Sequence, residues 1–68
     1  MKKYKVDEWV HYCPLPDVEY FKDVRERALI LAVLTNDVFY DYRIYIEDSR
    51  KIKKVRESHL FSIPEPTY

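Results

Sequence analysis

Tyr40-Asp41-Tyr42-Arg43-Ile44-Tyr45-Ile46-Glu47 is the stretch whose reading decides the fold. β-Branched and aromatic residues alternate in it with polar ones, the period-2 pattern of a half-buried strand. Tyr42, Ile44 and Ile46 then face one way, and Arg43, Tyr45 and Glu47 the other. Thr35-Asn36-Asp37 before it and Asp48-Ser49-Arg50 after it are turns. The next residues, Lys51-Ile52-Lys53-Lys54-Val55-Arg56, read as a short charged strand suited to a sheet edge, where lysines discourage pairing with other chains.

The preceding segment, Val24 to Leu34, is ambiguous by composition, because Arg, Glu, Ala and Leu all favour helix. Its apolar run from Ala28 to Leu34 leaves no polar helix face, and a turn and a strand follow it directly. It is read as a strand. Glu8 to Cys13 is an earlier strand, rich in β-formers and stopped by Pro14 and Pro16. Residues 14–23 form a loop. Glu57-Ser58-His59-Leu60-Phe61 reads as one helical turn that tucks Leu60 and Phe61 under the sheet. The expected architecture is all-β: a small antiparallel barrel of four to five strands with one short helical turn near the C-terminus. Residues 1–61 make the one domain, and 62–68 an extended, Pro-containing tail. Val10, Tyr12, Tyr42, Ile44, Ile46, Val55 and Leu60 are the expected core.

Composition narrows the function. The chain has 68 residues, with 12 basic and 12 acidic side chains and a formal charge of zero. A hydrophobic content of 47% is enough for a core, so disorder is not expected. Glycine is absent, which excludes glycine-rich phosphate loops and nucleotide fingerprints. No apolar run approaches the roughly 20 residues of a membrane helix, and no apolar stretch follows the first lysines as in a signal peptide. The expected location is the cytoplasm. The lone Cys13 excludes an internal disulfide.

The residues resemble the Tudor-like group of Src-homology-type small barrels over roughly Trp9–Leu60. Ala28-Leu29-Ile30-Leu31 corresponds to the group's Ala-x-Val-Leu strand. Tyr42-Arg43-Ile44-Tyr45-Ile46-Glu47-Asp48 corresponds to Tyr-x-Val-x-Phe-x-Asp, and Lys54-Val55-Arg56-Glu57-Ser58-His59-Leu60 to the closing segment. Ser49-Arg50 stands where a Tyr-Gly pair is common, and no glycine opens the first strand. The resemblance implies the fold more than methyl-ligand recognition, and a binding module more than a catalyst. It also implies a ligand mouth made by the loop after the first strand and the loop between the middle strands. That mouth brings Tyr20, Phe21, Phe39 and Tyr40 together, an arrangement open to reading as an aromatic cage or as a lid on the core.

Catalysis is not expected. His11 and Cys13 share a side of the first strand, but zinc needs four ligands and the other histidine is the distant His59. No third residue orients a Cys-His pair as nucleophile and base. No metal or other cofactor is expected. The expected function is a non-catalytic protein-interaction module that binds another protein or its own copy through exposed aromatics: Trp9, Tyr20, Phe21, Phe39, Tyr40 and Tyr45. The small size fits a phage or mobile-element accessory protein that binds a host protein. The alternative is a nucleic-acid-binding barrel using Arg50, Lys51, Lys53, Lys54 and Arg56, with Tyr45 or Trp9 as a stacking face.

Overall fold

A computed structural model of the chain describes residues 2–21 and 24–63. Five strands build one antiparallel sheet: β1 (Trp9–Tyr12), β2 (Glu26–Val33), β3 (Tyr42–Ile46), β4 (Lys51–Val55) and β5 (Leu60–Ser62). A 3-10 turn, Glu57–His59, separates β4 from β5. The strand order is β4-β3-β2-β1-β5, so the sheet is open, with β4 and β5 at its ends. An all-β fold of antiparallel strands is as expected; among the described residues the ladder does not close.

Segment 24–34 is a strand at its centre despite its helix-forming residues. Pairing on both sides overrides the propensity: Leu29 lies opposite Trp9 of β1 and opposite Tyr45 of β3. The register slips between Ile30 and Ala32, which leaves Leu31 as the extra residue of a bulge. The C-terminal segment departs from expectation. The helical turn ends at His59, and Leu60 to Ser62 pair with β1 as a strand. Leu60 is buried, but Phe61 lies half-buried on the opposite face under the Arg25 guanidinium, 4.1 Å from its ring centre. Alternation along a strand forbids both side chains from entering the core together. Of residues 62–68, expected as a tail, Ser62 belongs to β5, and those from Pro64 onward lie outside the described residues.

The core lies on the inner face of the curled sheet. All seven expected core residues are buried, and Tyr4, Cys13, Ala28 and Ile30 join them. Among the described residues, glycine-free turns leave two side-chain-bearing residues in the left-handed region, Asp7 at φ 71° and Arg50 at φ 56°. Such backbone costs on the order of 1–2 kcal/mol per residue. At Arg50 it closes the β3–β4 hairpin, where its N–H donates to the Ile46 carbonyl at 2.8 Å.

Polar contacts tie the first residues to the 3-10 turn. The Tyr42 hydroxyl donates to Glu57 Oε1 at 2.7 Å and accepts from the Tyr4 N–H at 3.0 Å. Glu57 Oε1 also accepts from the Lys3 N–H, while Asp41 pairs with Lys2 and accepts from the Glu57 N–H. The Tyr42 hydroxyl and the Lys3 N–H hold Glu57 below the usual carboxylate range, and Lys2 and the Glu57 N–H do the same for Asp41. Burial pushes the Tyr42 phenol up to about 12, from an ordinary value of 10.0. Between those two values the folded chain keeps a proton that the unfolded chain releases, so stability falls as pH rises. A shift of that size corresponds to a loss on the order of 3 kcal/mol. Urea denaturation at stepped alkaline pH should show this decline, and Tyr42→Phe should flatten it; an equal decline in both would sink the assignment. In acid the carboxylate contributions fade as pH drops through their lowered values.

Candidate binding surfaces

Two surfaces draw mostly on residues outside the core. The first is a groove of about 390 Å³ between β4 and the loop that precedes β3. Asp37 shapes that loop: its carboxylate accepts the N–H groups of Phe39 and Tyr40 at 2.8 and 2.9 Å. The Tyr40 and Phe39 N–H groups hold Asp37 below the usual carboxylate range. The Asp41 N–H donates to the Val55 carbonyl at 2.9 Å, which fastens the end of the loop to β4. Phe39 and Tyr40 thus stand beside the end of β4 as groove walls.

Tyr12 and His59 provide the other rings, stacked with 6.4 Å between centroids and 22° between planes. The backbone sets this pairing, because the Cys13 N–H donates to the His59 carbonyl at 2.9 Å. Three cations join the rings. Lys53 is on the inner face of β4, opposite Ile44, and its Nζ donates to the Tyr12 hydroxyl at 3.2 Å. Arg56 donates from Nε to the Phe39 carbonyl at 2.9 Å, and Lys54 lies 3.8 Å from Asp37. Among the described residues no carboxylate lines the groove. Among the described residues, neither Lys53 nor Arg56 pairs with an acidic side chain. This wall would repel a cationic ligand, so the groove has the wrong charge for an aromatic cage.

The second surface is the outer face of the sheet. Trp9 lies opposite Leu29, Leu29 opposite Tyr45, and Tyr45 opposite Ile52. One apolar row therefore crosses four strands on the side away from the core. Its ends are the more open parts, with Trp9 37% and Ile52 63% exposed. Arg27 covers part of Trp9, its guanidinium 4.3 Å from the ring centre, and lies 3.6 Å from Glu47. Arg43, on the other flank of the row, has no carboxylate partner among the described residues.

The expected site residues thus divide among three places. Phe39 and Tyr40 line the groove, while Trp9 and Tyr45 belong to the outer row. Tyr20 and Phe21 pack edge-to-face on each other, 5.0 Å between centroids, and do not line the groove. Of the five cations expected to act together, Lys53, Lys54 and Arg56 line the groove, and Arg50 and Lys51 do not. Cys13 is fully buried with its thiol 3.5 Å from the Phe21 carbonyl, whereas His11 stays half-buried on the outer side. The strand ends at Tyr12, so the alternation expected to align His11 with Cys13 stops short of the cysteine. Among the described residues no cluster of His, Cys, Asp and Glu is able to hold a metal ion. No helix among them is long and apolar enough to cross a membrane.

Sequence reasoning missed Leu29, Ile52 and His59 as partners on these surfaces, while Tyr12, expected in the core and buried there, also borders the groove. Ile52 carried a legible signal, an isoleucine among lysines on an edge strand. No family model, characterised protein or solved structure matches the chain.

Proposed function

We propose that the chain is a non-catalytic protein-interaction module and that the outer face of its sheet receives a second copy of itself. The observation that carries this is the apolar row Trp9–Leu29–Tyr45–Ile52, which fills no part of the core yet aligns across four strands. Large apolar and aromatic side chains grouped on an open surface favour protein contact. Charge favours a second copy as the occupant. Along β3 the outer side reads Arg43, Tyr45, Glu47: a cation, the row, an anion. A two-fold axis along the row stacks Tyr45 on its counterpart and sets each Arg43 against the other copy's Glu47, giving Arg43 a carboxylate that it lacks among the described residues. Zero net charge puts no long-range repulsion in the way.

The curled sheet is further read as a barrel of the Tudor-like kind. Lys53 of β4 reaches Tyr12 of β1 across the interior, and Val55 and Leu60 share one core cluster, which supports approach of the two sheet ends.

Sedimentation equilibrium over about 1 µM to 1 mM protein tests the pairing. The native chain should dimerise, and Ile52→Lys should weaken the dimer at least about tenfold, since hot-spot losses commonly exceed that. Arg43→Glu should weaken it as well, with Glu47→Arg in the same chain restoring part of the loss. A chain that stays monomeric throughout would overturn self-pairing.

A further inference from the structure

We propose that the groove between β4 and the Phe39–Tyr40 loop is a binding site for single-stranded nucleic acid, taking one nucleotide as a base and its phosphate together. This site is separate from the outer row and does not depend on self-pairing. The argument rests on what the groove combines. Phe39 and Tyr40, both exposed, offer flat apolar faces, and Lys53 and Arg56, neither within ion-pair distance of a carboxylate among the described residues, supply positive charge. A nucleotide carries a π-face and a negative charge within one unit, the combination that stacking platforms in basic grooves accept irrespective of sequence. In an acidic peptide, charge and ring sit on different residues, which a groove of about 390 Å³ accommodates poorly. That volume falls near the lower end of the roughly 300–1,000 Å³ typical of ligand sites.

The groove is also organised before any ligand arrives. Asp37 fixes the loop through two N–H groups, and Arg56 is held against the Phe39 carbonyl by Nε alone, which leaves its terminal N–H groups for a phosphate. Phe39 is 65% exposed although its backbone is pinned. An apolar ring held open beside two cations gains contact area from a stacked base at little ordering cost.

The test is fluorescence anisotropy with a labelled oligothymidylate of about eight nucleotides. Competition with thymidine monophosphate and with a Glu/Tyr peptide of equal charge runs alongside it. Binding should weaken about two- to threefold between 50 and 200 mM salt for the one phosphate that the groove takes. Phe39→Ala should weaken it about five- to a hundredfold, and Arg56→Gln should lower both affinity and salt slope. Both variants should melt near the native temperature, because Phe39 lies outside the core. Amide NMR should show shifts at Phe39, Tyr40 and Arg56 on titration, with the Trp9 indole unmoved. Oligothymidylate binding unchanged in both folded variants, no binding at low salt, or shifts confined to the Trp9 face would each overturn the site. Equal competition by the mononucleotide would overturn the strand as its source, and tighter binding of the peptide would overturn the nucleotide.

Discussion

Ile44→Ala lowers the folding free energy by about 2–5 kcal/mol, the cost of emptying a fully buried aliphatic site. Ile44 is 0% exposed and lies opposite the equally buried Ile30 on the middle strand pair. A chain of 68 residues holds only about 3–10 kcal/mol in total at typical stability per residue, so the loss approaches half or all of it. Urea denaturation with far-ultraviolet circular dichroism measures this. Arg43→Ala, measured at a concentration where the chain is monomeric, is the internal control, one residue away on the opposite face, and should change stability by no more than about 0.5 kcal/mol. If the two variants melt alike, the faces of β3 have been assigned the wrong way round.

That contrast is available because β3 announces its faces in sequence. Tyr42, Ile44 and Ile46 alternate with polar partners, and each is buried. Nothing similar exists in β2, where Ala28 to Leu34 is continuously apolar. Such a run has no phase, so Ala28 and Ile30 were not separable from Leu29 as core residues. The bulge after Ile30 adds a second obstacle, since it shifts which residue faces inward. β4 shows another limit. Its inward positions are Lys51, Lys53 and Val55, opposite Ile46, Ile44 and Tyr42, while Ile52 points outward to meet Tyr45. A reading by hydrophobicity alone would turn this strand over. Pairing with β3 through the tight hairpin fixes the register instead, and inward lysines on an edge strand discourage chain-to-chain addition.

The groove was legible in its chemistry but not in its geometry. A cluster of cations in 50–56 and a pair of rings at 39–40 are plain in the sequence. What joins Lys53 and Arg56 to Phe39 and Tyr40, and leaves Arg50 and Lys51 aside, is strand alternation combined with the Asp41–Val55 hydrogen bond. Tyr12 and His59 are far apart in the chain, and meet only because β5 adds to the β1 edge. Long-range strand pairing of this kind has no local signature. The same is true of the outer row, whose four members come from four strands.

Tyr4→Ala should cost about 3–5 kcal/mol, as removal of a buried aromatic ring does, although the residue lies outside every strand. Its ring is 2% exposed and packs edge-on against Tyr42, with 5.7 Å between centroids and 66° between planes. Its hydroxyl donates to the Leu60 carbonyl at 3.1 Å, and its N–H donates to the Tyr42 hydroxyl. The segment that carries it is itself anchored to β2, because the Asp7 N–H donates to the Ile30 carbonyl at 2.8 Å and the Ile30 N–H to the Glu8 carbonyl at 2.9 Å. Positive φ at Asp7 turns the chain between these contacts, a backbone cost that the buried ring offsets. Tyr4→Phe keeps the ring and loses only the bond to Leu60, so it should cost about 1 kcal/mol. The difference between the two variants isolates ring burial from hydrogen bonding, and hydrogen exchange should show faster opening around Leu60 in both. A Tyr4→Ala variant within about 0.5 kcal/mol of the native chain, the range of an ordinary surface substitution, would mean that the first residues merely lie against the sheet and that the core closes without them.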